Sequence, residues 1–350
     1  MVPLRRVDGK PVGRRVPTLC QPEAMAYFGI RFDLRDPGTS GVPRAERYAA
    51  ALDMAEWADR LGFVSCTLSE HHGSPDGYLP SPLVLAAAVA ARTERITIQI
   101  AAMVAPFHDP LRLAEDAAVV DLLSGGRLEL VVANGYVPGE FDMFGVPMGE
   151  RVARTTEMVE TLRRAWSGEP FEYRGRTVRV TPPPHRERGP KLALGGSGDA
   201  AARRAARLGV SFRPSNPGAW ATYRSERIAL GGSDPGDFYG ADTTATFLST
   251  DVDATWAAIG PHLLHEANAY GAWAAAGGAD TGYRAATDVD DLRASGQYKV
   301  VTPAALVAEL EAAAPFGFAL FHPLMGGIPP AVGWESLRLL EHEVLPHLAS

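Results

Sequence analysis

From residue 25 onward the chain repeats one unit, a short apolar run followed by a longer amphipathic one, and that repetition limits the folds open to it. "AYFGIRF" (26–32) reads as a strand. "RAERYAAALDMAEWADRLG" (44–62) reads as a helix: Tyr48, Leu52, Ala55 and Ala58 form one apolar row, and Gly62 suits a stop. The series continues with a strand "FVSCTL" (63–68), a helix over 81–94, a strand "ITIQIAAMV" (96–104), a helix over 110–124, a strand "LELVVA" (128–133) and a helix over 151–168. "KLALG" (191–195) and "DAAARRAARLG" (199–209) form a fifth pair, and weaker strands are expected at 210–213, 243–249 and 316–323. Repeated β-α units require a parallel sheet, because each crossover returns the chain to the same end. About eight of them predict an α/β fold of the (β/α)8 TIM-barrel type, with active-site groups on the loops after the strands. A doubly wound sheet is the competing topology. Two segments interrupt the alternation: residues 169–190 read as a hairpin excursion with a proline-rich return, and 213–243 as an insertion punctuated by glycine and proline. No repeat or linker divides the chain, so residues 25–350 are expected to form a single domain.

Composition narrows the class further. Apolar residues make up 46% of the chain and charged residues 21%, ordinary values for a globular protein with a sizeable core. A net charge of −7 offers no electrostatic footprint for nucleic acid. The only cysteines, Cys20 and Cys66, lack metal-type spacing and argue against a disulfide scaffold, which fits a reducing compartment. No apolar run approaches the ~20 residues of a membrane span. Residues 1–24 are basic and proline-rich with no structural period, and are expected to be a disordered arm; the true start could be Met25. Arg14-Arg15 has the look of a twin-arginine signal, but the segment after it is too polar and too short to be the apolar stretch such a signal needs. A cytoplasmic location is the expectation.

The predicted strand ends carry the chemistry. Glu70, His71 and His72 follow the second strand, and His108 and Asp109 the third. "ANGYVPGEFDMFG" follows the fourth, "GGSGD" the fifth, and the last strand delivers His322. Any single histidine is most often a hydrogen-bonded structural side chain, but several at one rim suggest acid/base or ligand work. "LGGSGD" (194–199) is a second focus. Its small residues would let backbone N–H groups approach an anion, with the following helix offering its positive end. The plain alternative is a strand-to-helix turn capped by Ser197 or Asp199. It lacks the lysine and hydroxyl of a Walker A loop and the GxGxxG spacing of a dinucleotide fingerprint. Two enzyme readings remain open on these residues alone. In one, His71, His72, His108, Asp109 and His322 hold a hydrolytic metal; in the other, the rim binds a phosphorylated cofactor and histidine handles protons. Adjacent histidines on an extended strand point to opposite faces, which weighs against His71 and His72 sharing one ion.

Six segments together resemble the bacterial luciferase-like flavin-dependent monooxygenase family: "EHHGSPDGYLPSP", "AARTERITI", "DPLRLAEDAAVVDLLSGGRLEL", "NGYVPGEFDMFGVPMGER", "PKLALGGSGDAAARRAARLG" and "WESLRLLEHEVLPHL". The likeness runs from residue 25 to about 347 with the segments in the family's order. It implies a luciferase-like (β/α)8 TIM barrel with insertions, usually a homodimer, in which reduced FMN and O2 oxygenate a small, largely apolar organic substrate, with water as co-product. A separate flavin reductase is the implied partner. Related alternatives are an F420-dependent oxidoreductase and a non-catalytic flavin-binding subunit. By the same resemblance His71 is the catalytic residue beside the flavin, with His72 structural, and Gly196, Ser197, Gly198 and Asp199 surround the flavin phosphate. Asn134 stands where luciferase has an arginine for that phosphate; an amide donates a hydrogen bond but no bidentate charged contact. Arg151 and Arg154 are candidates to replace it. Phe107, Tyr136, Phe141, Met143 and Phe144 are candidates for an apolar wall.

Overall fold

The computed structural model describes residues 26–238, 244–279 and 282–348. Strands β1 (Tyr27–Phe32), β2 (Ser65–Leu68), β3 (Thr97–Val104) and β4 (Leu128–Ala133) pair side by side in chain order, all parallel. Helices α1 (Arg44–Arg60), α2 (Pro82–Arg92) and α3 (Pro110–Leu123) are their crossovers. The apolar run of β4 has every residue from Leu128 to Val132 buried, as expected of a parallel strand covered on both faces. Beyond β4 come α4 (Pro138–Phe144), α5 (Arg151–Ala165), an antiparallel hairpin of β5 (Phe171–Tyr173) and β6 (Arg176–Val178), then β7 (Lys191–Gly196), α6 (Asp199–Leu208), β8 (Ser211–Pro214) and α7 (Ala219–Ala229). The last part runs β9 (Ala245–Leu248), α8 (Val252–Gly277), α9 (Val289–Ser295), β10 (Tyr298–Val301), α10 (Pro303–Ala312), β11 (Phe318–Phe321), α11 (Pro330–Leu339), and a π-helical turn at Leu340–Val344 leading into α12 (Leu345–Leu348).

Nine parallel strands lie in the order β10-β9-β11-β1-β2-β3-β4-β7-β8, the (β/α)8 alternation with β10 as an extra strand. The ladder is open between β8 and β10 among the described residues. Because every strand runs the same way, the loops after β1, β2, β3, β4, β7 and β11 open at one end, and the residues on them meet there.

The expectations need correcting in three places. The insertion expected at 213–243 contains helix α7, and the segment after β4 is a helix, α4, where a loop was expected. The longest helix, α8, has no counterpart in the expected pattern, nor do α9, β10 and α10 after it. Helix α8 buries Trp256, Ile259, Leu263, Glu266, Ala267, Tyr270 and Ala274, a helical stripe that its alanines, glycines and internal Pro261 obscure in sequence. Gly277, at its end, lies so close to the loop after β4 that an added Cβ would sit 1.9 Å from the Tyr136 carbonyl oxygen. The expected arm, residues 1–24, lies outside the described residues.

Candidate active site

The two adjacent histidines part at the rim, each to its own carboxylate. His71 is buried, and its Nδ1–H donates to Glu140 Oε1 across 2.8 Å. The same oxygen accepts the His72 backbone N–H, also at 2.8 Å. Glu140 sits on α4 and is itself buried, so one carboxylate oxygen fixes both the backbone and the imidazole of this turn. With Nδ1 committed, Nε2 is the nitrogen left for proton exchange. Aromatic rings enclose the imidazole: Trp273 at 4.4 Å between centroids, Tyr78 at 4.9 Å, Tyr270 at 5.7 Å and Tyr136 at 5.8 Å. Trp273 and Tyr270 come from α8, which closes this side of the mouth.

His72 belongs to a second cluster. Its Nε2 meets Glu70 Oε1 at 2.9 Å, and His108 Nε2 meets the same oxygen at 2.7 Å. Glu70 Oε2 accepts the Val104 N–H. Burial alone would push the Glu70 carboxyl up, but the hydrogen bonds from His108, His72 and Val104 outweigh it and hold it below the usual range. Phe107 and Phe144, stacked at 4.7 Å, pack against the His72 ring. Phe141 is buried against Phe107, whereas Met143 is 62% exposed. Of the expected apolar wall, Tyr136 borders His71, Phe107 and Phe144 back His72, Phe141 backs Phe107, and Met143 largely faces outward.

The five residues weighed for a shared metal do not converge. His71 is held by Glu140, and His72 and His108 by Glu70. Asp109 caps α3, its Oδ1 accepting the N–H groups of Leu111 and Arg112. His322 lies buried beside Asp33 and Glu266.

At the end of β7, Gly198 is the N-cap of α6 and no side chain caps this helix. Neither Ser197 nor Asp199 fills the capping role; Asp199 Oδ1 accepts from the Thr222 hydroxyl at 2.7 Å instead. The first-turn N–H groups therefore lack a side-chain acceptor, the condition for holding an anion. Gly196 is required by close approach, since a Cβ there would lie 2.4 Å from Ala201 Cβ, while a Cβ on Gly198 would meet open space. Asn134 follows β4, the ladder neighbour of β7, and its Oδ1 is buried without a protein partner. That oxygen is an acceptor, so toward a phosphate only the NH2 end of the Asn134 amide can donate. Arg151 and Arg154 are engaged elsewhere, Arg151 with the Met148 carbonyl and Arg154 with Glu150.

The sequence model of the luciferase-like monooxygenase family matches residues 28–314. The chain belongs to that family. A monooxygenase from Streptomyces bottropensis, RslO1, is similar over 92% of this chain and 99% of its own, at 27% identity and a TM-score of 0.72. At 19% identity and a TM-score of 0.67, the oxygenating constituent of 3,6-diketocamphane monooxygenase from Pseudomonas putida, solved with FMN, shares the fold over 91% of this chain and 98% of its own. Among curated relatives, the 4-hydroxyprotoasukamycin monooxygenase of Streptomyces nodosus is 32% identical over 34% of this chain and 32% of its own length. The oxygenase component of a flavin-dependent trigonelline monooxygenase from Acinetobacter baylyi is 29% identical over 37% and 36%. The matched segments thus span well under half of these curated relatives. The family's (β/α)8 architecture accounts for the strand order and for the rim that gathers Glu70, His71, His108 and Asn134. Among the described residues, no helix is long and apolar enough to cross a membrane.

Glu140, the carboxylate that holds His71, is the site residue that sequence reasoning missed. It lies 69 positions from His71, in a segment read as loop. "PGEF", a proline at the first helical position with an acidic residue in the first turn, was the available signal for a helix there.

Proposed function

We propose that this chain is the oxygenase component of a two-part monooxygenase. It takes reduced FMN from a separate flavin reductase and uses O2 to oxygenate a small, largely apolar organic substrate. The observation that carries the reading is the His71–Glu140 pair inside its aromatic enclosure: a fixed tautomer, one available nitrogen and apolar walls at the barrel mouth. The uncapped start of α6 with Gly196, Ser197, Gly198 and Asp199, and the NH2 group of Asn134, would hold the flavin phosphate. Bound there, reduced FMN would supply the electrons for oxygen activation.

The protein's own part is positioning and proton control. Glu140 holds Nδ1–H, so His71 can take or return a proton only at Nε2. Tyr78, Tyr136, Tyr270 and Trp273 keep water from that nitrogen. Glu70 braces the turn from behind through His72 and His108. The named FMN complex and the oxygenase-component relative support FMN and a partner reductase. An F420-dependent secondary alcohol dehydrogenase shares the fold at 17% identity and makes F420 the competing cofactor.

Anaerobic titration with reduced FMN, oxidised FMN and reduced F420 tests the reading, followed by mixing with O2. Reduced FMN should bind, and O2 consumption should precede release of hydrogen peroxide by a measurable lag. Binding of F420 in preference to reduced FMN would overturn it, as would an absence of flavin binding.

A further inference from the structure

Three buried titratable groups that the chemistry above leaves unused meet from three separate elements. Asp33 lies just past β1, Glu266 on α8 and His322 just past β11, and their ligating atoms all fall within 4.8 Å of one another. Each carboxylate uses one oxygen. Asp33 Oδ1 accepts the Arg35 backbone N–H at 3.2 Å, and Glu266 Oε2 accepts Arg35 Nη1 at 3.1 Å. The other oxygens, Asp33 Oδ2 and Glu266 Oε1, are buried without hydrogen-bond partners, as are both nitrogens of His322, whose Nε2 lies 3.6 Å from Asp33 Oδ1. Two carboxylates this close in a dry pocket repel, unless a positive charge or a proton is shared with them.

Charge balance selects what that is. The groups facing Glu266 are Asp33, Arg31 and Arg35 from the β1 side, Asp76 and Tyr78 from the loop after β2, Tyr270 on its own helix, Tyr283 and Tyr298, and His322. His265, its neighbour on α8, is bound to Asp76 at 2.7 Å. Two guanidiniums therefore oppose three carboxylates, since Arg47, the third guanidinium near Asp33, is balanced by Asp36 3.9 Å away. One proton cancels the buried excess; a divalent ion would reverse it.

We propose that Asp33 and Glu266 share one proton, carried by Glu266, and that Glu266 in this acid form is a positioning residue for the aromatic enclosure of His71. The link is direct. The Arg35 guanidinium held by Glu266 lies 4.9 Å from the centre of the Trp273 ring, 5.2 Å from Tyr78 and 5.4 Å from Tyr270. Arg31 donates to the hydroxyls of Tyr270 and Tyr283 at 3.1 and 3.3 Å, and the Tyr78 and Tyr270 hydroxyls are 2.6 Å apart. Burial, reinforced by the negative charge of Asp33, pushes the Glu266 carboxyl up against the opposing pull of Arg35 and Arg31. Asp33 goes the other way: burial would raise it, but its neighbours His322 and Arg35 hold it down. Burial in turn pushes His322 down, so the imidazole does not carry the extra proton. Loss of the Glu266 proton leaves a second carboxylate charge that draws Arg31 and Arg35 off the tyrosines and loosens the walls around His71.

The consequence for catalysis rests on the reading of His71 given above, but the test needs neither flavin nor substrate. Infrared spectra of the whole protein at neutral pH should show the carbonyl stretch of a buried protonated carboxyl, absent in Glu266→Gln. Tryptophan fluorescence, with Trp273→Phe identifying its source, should show a one-proton transition at mildly alkaline pH. Glu266→Gln keeps a neutral donor toward Asp33, so it should fold, bind reduced FMN within about twofold of wild type and lose the transition. Asp33→Asn should move the transition to lower pH. An alkaline transition unchanged in Glu266→Gln, or no protonated-carboxyl band in wild type, would overturn the proposal. So would stoichiometric binding of Mn2+ to wild type that Asp33→Asn abolishes, which would make the cluster a cation site.

Discussion

Replacing Glu140 separates two jobs that one carboxylate oxygen performs, bracing the turn after β2 and fixing the His71 ring. In Glu140→Ala two buried donors, the His72 N–H and His71 Nδ1–H, lose their acceptor. Each costs about 1–3 kcal/mol when left unsatisfied, so the total should be roughly 2–6 kcal/mol. An unfolding entropy of about 2.1 cal/mol/K per residue over 350 residues gives roughly 0.7 kcal/mol per degree, and Tm should fall by about 3–8 °C. Glu140→Gln keeps the volume and an oxygen that accepts the same N–H groups, so its Tm should fall by no more than about 2 °C. It lacks the charge, however, and an amide steers an imidazole through a proton cycle less well than a carboxylate does. A lost orienting partner typically costs about 10–100-fold. Anaerobically reduced complexes mixed with O2 provide the assay: the lag between O2 consumption and hydrogen peroxide release should shorten by that factor in Glu140→Gln, with reduced FMN affinity little changed. Wild-type lag in Glu140→Gln would refute the orienting role. A wild-type Tm in Glu140→Ala would refute the hydrogen bonds themselves.

His71→Ala should leave reduced FMN binding largely intact while substrate oxygenation falls by about 100-fold or more and hydrogen peroxide yield rises, whereas His72→Ala should act mainly on stability; unchanged oxygen coupling in the His71 variant would remove it from the chemistry. Ser197→Asp places like charge against the proposed phosphate and should cost about 2 kcal/mol or more of FMN affinity while sparing riboflavin, so equal weakening of both ligands in parallel titrations would move the phosphate elsewhere. Acid should destabilise the rim: burial would raise Asp76, but His265 and Arg35 outweigh it and hold it down to about 2, and Glu70 is also held low. Such depressed carboxylates contribute stability above their unfolded pKa and lose it as pH falls through the folded one. Urea midpoints should therefore drop between about pH 4 and pH 2, by about 2 kcal/mol for Asp76 alone, and a flat profile would contradict those bonds.

The first half of the barrel was legible because its strands and helices obey their periods locally. β1 to β4 and α1 to α3 fall within two residues or so of where apolar spacing and stop residues put them. The rim followed from topology alone, since parallel strands bring their loops to one end whatever the loops contain. Even the parting of His71 and His72 was implied by the alternation of side chains along an extended chain. Helix α8 was not legible: its buried stripe is interrupted by Gly260 and Glu266, and the alanines, glycines and Pro261 around it blur the helical period. Nor was the role of Glu140, because which carboxylate meets which imidazole depends on how α4 packs across the mouth, 69 residues away. Asp33, Glu266 and His322 carry no shared pattern in the chain. Their meeting depends on β1 and β11 being neighbours and on α8 crossing beside them, and in the dry space so formed a proton becomes the cheapest way to reconcile two carboxylates. Residue type and period decide the elements, but the ionisation of a buried side chain is decided by neighbours that only the closed fold supplies.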